Sequence, residues 1–125
     1  MLVTTLQVAL GGAIGAALRY LVGVAVFRMW SGALPLGVMS VNVAGSFLMG
    51  VFVVLAAKKG LGHLAPFVMI GVLGGFTTFS AFSLEAVTLY ERGAVAHAAA
   101  YILLSVVLSI GGLLAGLWVA REVWP

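Results

Sequence analysis

The chain has 125 residues and a net charge of +3; 64% of its residues are hydrophobic, only 7% are charged, and its mean hydropathy is +1.28. An ordinary soluble domain carries about 25% charged residues, so this composition excludes a water-soluble globular protein and indicates a chain whose solvent is the bilayer. The basic residues lie singly at segment ends and cysteine is absent, which argues against a nucleic-acid-binding patch, a disulfide framework and a cysteine-based metal site.

Long stretches without charge predict four membrane-spanning helices. A helix needs about 20 apolar residues to cross the hydrocarbon core. Positions 29–57, 64–84 and 93–120 contain no charged residue, and the stretch before Arg28 qualifies if Arg19 is tolerated inside it. We therefore predict an all-α membrane protein that forms a single domain over residues 1–125. Its helices are expected at roughly residues 3–27, 35–57, 66–90 and 94–119.

The first span contains a charge, Arg19, well inside its apolar sequence. Because a charged side chain at the helix centre costs at least about 3 kcal/mol, Arg19 must face protein or water. Either it pairs with Glu85 or with backbone carbonyls, or it places a fixed positive charge at the mouth of an anion path. The span lacks a basic segment before its apolar stretch and a convincing cleavage site, so we expect it in the mature protein.

In the second span, Asn42 is the only asparagine of the chain, on a helix face continued by Ser46 and Gly50. Its amide offers two donors and a carbonyl acceptor. Taken alone, this residue favours an ordinary interhelical hydrogen bond, which contributes about 0.6 kcal/mol in a membrane.

The third span contains the segment 74–83, in which adjacent glycines precede two threonines. These residues are poor helix formers. Unpaired backbone groups are costly in the hydrocarbon core, so a helix broken near the midplane needs an ion, water or other protein at its free carbonyls and N–H groups. A packing notch softened by glycine is the alternative. Beyond the break, Phe79 and Phe82 share a face with Ser83 beside them; they either pack, or line an anion path with their partly positive ring edges.

The fourth span presents Tyr101, Ser105, Ser109 and Gly112 on one narrow stripe. The stripe is either a polar track or a set of serines bonded to their own helix carbonyls. Counting residues along alternating helices at about 1.5 Å each puts polar residues from all four spans, together with Phe82, in the same half of the membrane, where one vestibule could hold them. These residues are Arg19, Asn42, Glu85 and Tyr101.

Small residues at four-residue spacing, such as Gly11 with Gly15 and Gly112 with Gly116, predict a tight bundle or oligomer. Orientation is poorly specified. The side with both termini carries Lys58, Lys59 and Arg121, and the other carries Arg28 and Arg92. Such a small bias leaves two readings: one orientation fixed by other means, or insertion both ways and pairing with an inverted copy.

Three runs in order carry a family resemblance: GGAIGAALRY at 11–20, VNVAGSF at 41–47 and GGFTTFSAFS at 74–83. With them the chain resembles, over essentially its whole length, the Fluc (CrcB) family of small bacterial fluoride channels. The resemblance implies a dual-topology homodimer of two antiparallel subunits in the bacterial inner membrane, with two pores that export fluoride passively. Ala81 departs from the family pattern, since many members have Ser or Thr there.

The resemblance also implies roles for individual residues. The pore asparagine falls on Asn42 and the pair of pore phenylalanines on Phe79 and Phe82. The vestibule arginine is Arg19. A central structural Na⁺ is expected on backbone carbonyls of Gly74 and Thr77 from each subunit. The polar track is expected at Ser80, Ser83, Tyr101, Ser105 and Ser109.

Two rival functions remain open. A small multidrug exporter also has four spans and dual topology, but it needs a membrane carboxylate, and the first span here has Arg19 and no acid. A membrane assembly subunit without transport activity is the second, because small-residue faces alone would support it. An enzyme is not expected, since His63 and His97 are isolated and no metal-ligand cluster is apparent.

Overall fold

The computed structural model describes residues 1–125, and four segments of it are helices long and apolar enough to cross a membrane, which confirms the four predicted spans. The first two are α1 (Leu2–Met29) and α2 (Leu36–Lys59). The third span, Gly62–Glu91, has several parts, whereas the fourth is the single helix α5 (Val95–Val123). The parts of the third span are a 3-10 turn (Gly62–Leu64), a π-helix (Pro66–Leu73), α3 (Gly74–Phe76) and α4 (Phe79–Glu91).

The third span is bent, as predicted, but the threonines rather than the glycines leave the helical conformation. Gly74 has helical angles, φ −64° and ψ −37°. Thr77 is extended at φ −89° and ψ 157°, and Thr78 at φ −152° and ψ 118°. A side chain branched at Cβ suits extended backbone, which explains why the break falls there. The π-helix before the break was not predicted from the sequence.

The glycines of α1 and of the third span allow backbone-to-backbone packing. A Cβ on Gly15 would overlap the carbonyl oxygen of Val72 and approach the Phe76 amide nitrogen to 2.8 Å. One on Gly75 would lie 2.7 Å from the carbonyl oxygen of Gly12. Such close contact maximises van der Waals attraction, which must hold helices together where lipid removes the hydrophobic drive. The first half of the third span is therefore seated on α1.

A second glycine contact joins α2 to α5. A Cβ on Gly50 would overlap the Leu113 carbonyl oxygen, and one on Gly116 would overlap that of Phe47. The small-residue motifs thus serve packing within one chain. The two long helices lie against each other and leave α4 to close the bundle at one end.

Little of the chain is buried, which fits a protein solvated by lipid. Only 18 of the 125 residues are buried. One cluster lies where α2, α4 and α5 meet, and most other large apolar side chains face outward, as a bilayer permits. The chain is a multi-pass membrane protein. The buried cluster consists of Met39, Phe82, Ala86, Leu89, Ala98 and Tyr101.

The close packing of α1 on the third span predicts that a side chain added at a contact glycine destabilises the fold. Gly15→Ala forces the Val72 carbonyl away and should destabilise the fold by about 1–3 kcal/mol, the usual range for overpacking. The control is Gly23→Ala on the same helix, where a Cβ meets nothing within 4 Å. It should leave the fold unchanged or stabilise it by about 0.5–1 kcal/mol. Melting temperatures in detergent measure both, and a Gly15→Ala protein that melts at or above the wild-type temperature contradicts this packing.

Candidate functional site

On the upstream side of the break, Thr77 binds the end of the preceding helix. The Leu73 carbonyl accepts from the Thr77 N–H at 3.0 Å and from the Thr77 hydroxyl at 2.9 Å. After Thr77 the chain turns away from the helix axis and restarts as α4. The Thr78 hydroxyl caps this restart by accepting from the Ala81 N–H at 3.1 Å.

Asn42 of α2 holds the extended residue of the break with both ends of its amide. Its Oδ1 accepts from the Thr78 N–H at 2.7 Å, and its Nδ2 donates to the Thr78 carbonyl at 3.0 Å. An asparagine amide has two N–H hydrogens, so one is left for a further acceptor. Asn42 therefore both fixes the backbone and retains a donor.

Arg19 of α1 binds the same segment from the opposite side. Its Nε donates to the Gly75 carbonyl at 3.1 Å, which is one of the two pairings considered for a structural arginine. The rest of the guanidinium keeps its charge and its other donors. This contact supports the structural interpretation of Arg19. It is also compatible with the interpretation in which the Arg19 charge attracts anions.

A groove of about 500 Å³ runs between α2, the break and α5. It combines an amide, several hydroxyls and two phenyl rings in an otherwise apolar wall, and it lies beside the bent segment. Among the predicted site residues it gathers Asn42, Thr77, Phe79, Phe82, Ser105 and Ser109.

The two phenyl rings differ in how firmly they are held. Phe79 and Phe82 meet edge to face, with ring centroids 5.4 Å apart and an interplanar angle of 61°. Phe82 is buried at 9% exposure and also contacts the Tyr101 ring at 5.3 Å. Phe79 is 79% exposed. The Phe82 ring is therefore fixed in the core, whereas the Phe79 ring is exposed on the surface of the chain.

On the α5 stripe the hydroxyls of Tyr101 and Ser105 have different surroundings. The Tyr101 hydroxyl donates to Glu85 Oε2 at 2.8 Å, so its proton is already used; Tyr101 does not line the groove, and its ring contacts Phe82. Ser105 Oγ is buried without a hydrogen-bond partner. This orphaned hydroxyl argues against the alternative in which Ser105 bonds its own helix, and it leaves an unused donor in the wall of the groove.

The remaining predicted hydroxyls are not brought to the groove. Ser83 donates to the Phe79 carbonyl of its own helix at 2.9 Å, as serines in helices often do. Ser80 pairs with the Thr78 hydroxyl at 3.2 Å. Neither residue lines the groove within this chain, so their place in a polar track remains a prediction.

A second cavity of about 880 Å³ lies between α1, the α1–α2 connection and α4. It contains Arg19, Glu85 and Arg92, whereas Asn42 and Phe82 line the groove. The residues expected to share one vestibule are thus divided between two spaces. Counting residues along helices gave their depth but not their direction around each helix axis.

Sequence reasoning missed one residue that the geometry makes central, Thr78. Its backbone is held by Asn42 and its hydroxyl caps α4. A threonine directly before a helix is a known capping signal. It was recognisable only once the restart at Phe79 was known.

Comparison with known proteins gives one consistent match. A family model described as "CrcB-like protein, Camphor Resistance (CrcB)" matches residues 6–117. A protein of Ruegeria sp. (strain TM1040) named "Fluoride-specific ion channel FluC" is 66% identical over 124 residues, 98% of each chain. Proteins of the same name from Roseobacter denitrificans and Agrobacterium fabrum are 63% and 50% identical, each over 94% of this chain.

The orphaned hydroxyl gives a prediction that separates packing from function. Ser105→Ala removes a buried polar group without a partner, a group that costs roughly 1–3 kcal/mol to leave unsatisfied. We expect the alanine variant to melt at or above the wild-type temperature in detergent, and its ion flux in liposomes to fall. A variant that melts lower shows that Ser105 Oγ has a structural partner in the folded protein.

Proposed function

Since the chain belongs to the CrcB family, we propose that it is a fluoride channel that exports fluoride passively across the bacterial inner membrane. Its relatives are named ion channels, and the chain is not an enzyme. The observation that carries the proposal is the groove, which is lined by a fixed phenyl ring and by two residues that keep an unused hydrogen-bond donor: Asn42, with its second N–H, and Ser105, with its hydroxyl.

The groove suits the chemistry of fluoride. The ion is small and strongly hydrated, so a path must replace its lost water with donors. The Asn42 amide and the Ser105 hydroxyl offer strong ones, and phenyl edges offer weak positive charge that does not trap the ion. Conduction needs binding favourable enough for entry and weak enough for exit, and this mixture supplies both.

A passive path is sufficient for export. Fluoride enters an acidified cell as neutral hydrogen fluoride and ionises inside, where an inside-negative potential drives anions outward with about 2.3 kcal/mol per 100 mV for each charge. Arg19 in the second cavity provides a positive charge that raises the local anion concentration. The cavity therefore serves as the vestibule.

The working unit that we propose is a homodimer of two antiparallel copies. The groove is open at its side, and Phe79, at 79% exposure, points out of the chain that it should help to line. A second inverted copy covers both. Two-fold symmetry then generates two equivalent grooves, and hence two pores.

A Na⁺ at the centre of this dimer fits the break. None of the hydrogen bonds outside the regular helices, and none of those from side chains, uses the carbonyl oxygen of Gly74 or Thr77. Unwound carbonyls in membrane proteins commonly hold Na⁺. The carbonyl oxygens of Gly74 and Thr77 from each subunit would hold the ion, and the ion would supply positive charge that satisfies them.

Liposome efflux tests the function directly. Vesicles loaded with fluoride and chloride, containing the purified protein, should lose fluoride rapidly and retain chloride when a potassium ionophore sets an inside-negative potential. Ion-selective electrodes record both ions. Proton-linked uptake of an organic cation would instead indicate a multidrug exporter. Vesicles that lose no ion at all would indicate an assembly subunit without transport activity.

Phe82→Ile should reduce fluoride flux by at least about tenfold, since it replaces a ring edge by an aliphatic side chain with no positive rim. The matched control is Phe52→Ile, because Phe52 on α2 is buried to the same 9% exposure but lines neither cavity. Both variants should still form dimers on size-exclusion chromatography. Equal flux in the two variants removes Phe82 from the pore.

Orientation is readable with single cysteines, because the chain has none of its own. Glu122→Cys lies on the side of the termini and Glu91→Cys on the other, at opposite ends of predicted spans. In sealed vesicles a membrane-impermeant maleimide should label about half of each variant if the chain inserts both ways. Complete labelling of one variant and none of the other shows a single orientation and excludes the antiparallel dimer.

A further inference from the structure

The two carbonyls proposed for Na⁺ are those whose ordinary helical donors have been taken by side chains. In a continuous α-helix each carbonyl accepts from the N–H four residues later. The donor for Gly74 is therefore Thr78, and the donor for Thr77 is Ala81. Neither makes that bond here, and each is bound by a different side-chain oxygen.

At Gly74 the diverting group is Asn42. Its Oδ1 accepts the Thr78 N–H at 2.7 Å, and its Nδ2 holds the Thr78 carbonyl at 3.0 Å, so the peptide cannot turn back toward Gly74. The bond comes from another helix and does not depend on α4. It leaves the Gly74 oxygen without its usual donor.

At Thr77 the diverting group is the hydroxyl of Thr78. It accepts the Ala81 N–H at 3.1 Å, and α4 therefore begins at Phe79 rather than one residue earlier, at Thr78. Without the hydroxyl, the nearest acceptor of a helical kind for this N–H is the Thr77 carbonyl. The carbonyl oxygen of Gly75, which lies in sequence between the free carbonyls of Gly74 and Thr77, accepts a hydrogen bond from Arg19 Nε.

We propose that Thr78 and Asn42 are positioning residues for the cation. They bind the two amide N–H groups that would otherwise pair with the carbonyl oxygens of Gly74 and Thr77, and so leave both oxygens free for the ion. This inference rests on the proposed Na⁺ site. It assigns Thr78 a role, and it joins the groove to the ion site, because the amide that offers a hydrogen in the groove is the one that frees the Gly74 carbonyl. The cation site and the anion path form one hydrogen-bonded unit.

A simpler role for Thr78 is that of a helix cap alone. A cap stabilises α4 whatever cation is present, whereas a positioning residue changes how strongly the protein responds to Na⁺. The melting temperature in N-methylglucamine chloride, and its rise as Na⁺ replaces that cation at constant ionic strength, separate the two roles, since an ion that binds only the folded state raises stability with its concentration.

The test compares Thr78→Val, which keeps the shape but removes the hydroxyl, with Thr78→Ser, which keeps the hydroxyl. We expect the Na⁺ concentration at half of the melting-temperature rise to increase about 10–100-fold in the valine variant, the range seen when groups that orient metal ligands are removed. The serine variant should match the wild type. Thr5→Val, which removes a threonine hydroxyl bonded to Met1 far from the break, should also match it.

If the valine variant melts lower in both cations but keeps the wild-type half-saturation, Thr78 is only a cap and the inference is overturned. If the valine variant does not fold, Thr78→Ala is measured by the same titration. A wild-type protein whose melting is indifferent to Na⁺ overturns the inference together with the ion site. Fluoride efflux from that same preparation shows separately whether the channel proposal stands.

Discussion

The structure depends on satisfying a broken backbone inside a membrane. Water cannot pair the groups freed at Thr77 and Thr78, so each needs a partner in the protein or a bound ion. The double hydrogen bond between the Asn42 amide and the Thr78 peptide supplies the main one, at 2.7 and 3.0 Å. With that peptide held, α4 takes a new direction and carries Phe82 into the core beside Tyr101. The peptide that Asn42 fixes thus forms part of the groove wall.

Close glycine packing makes that arrangement possible. Since Gly15 and Gly75 let α1 touch the third span backbone to backbone, Arg19 stands near enough to bind the Gly75 carbonyl. The break is thus held from both sides, by an arginine on α1 and an asparagine on α2. Most of the remaining large apolar side chains face outward. A small chain can in this way keep an irregular segment ordered without a large core.

Several residues singled out from the sequence lie together in the structure, although the sequence did not predict the partners of their hydroxyls. Asn42, Phe79, Phe82, Ser105 and Ser109 line one groove. Ser80 and Ser83 lie elsewhere in the chain, and the Tyr101 hydroxyl is bound by Glu85. A hydroxyl has several possible partners, and only the fold decides which it takes. Thr78 was missed because the peptide held by Asn42 and the hydroxyl that caps α4 gain their roles only from the position of the break.

By itself the sequence determined the class of protein: charge-free stretches long enough to cross a bilayer fix four helices, and two glycines followed by two threonines weaken the third. Its order of motifs also determined the family. Only the tertiary structure decided where the helix breaks and which groups are left free. Those features follow from hydrogen bonds between residues 36 and 56 positions apart, Asn42 with Thr78 and Arg19 with Gly75. Pairings at such separation depend on how the helices pack and not on any local propensity.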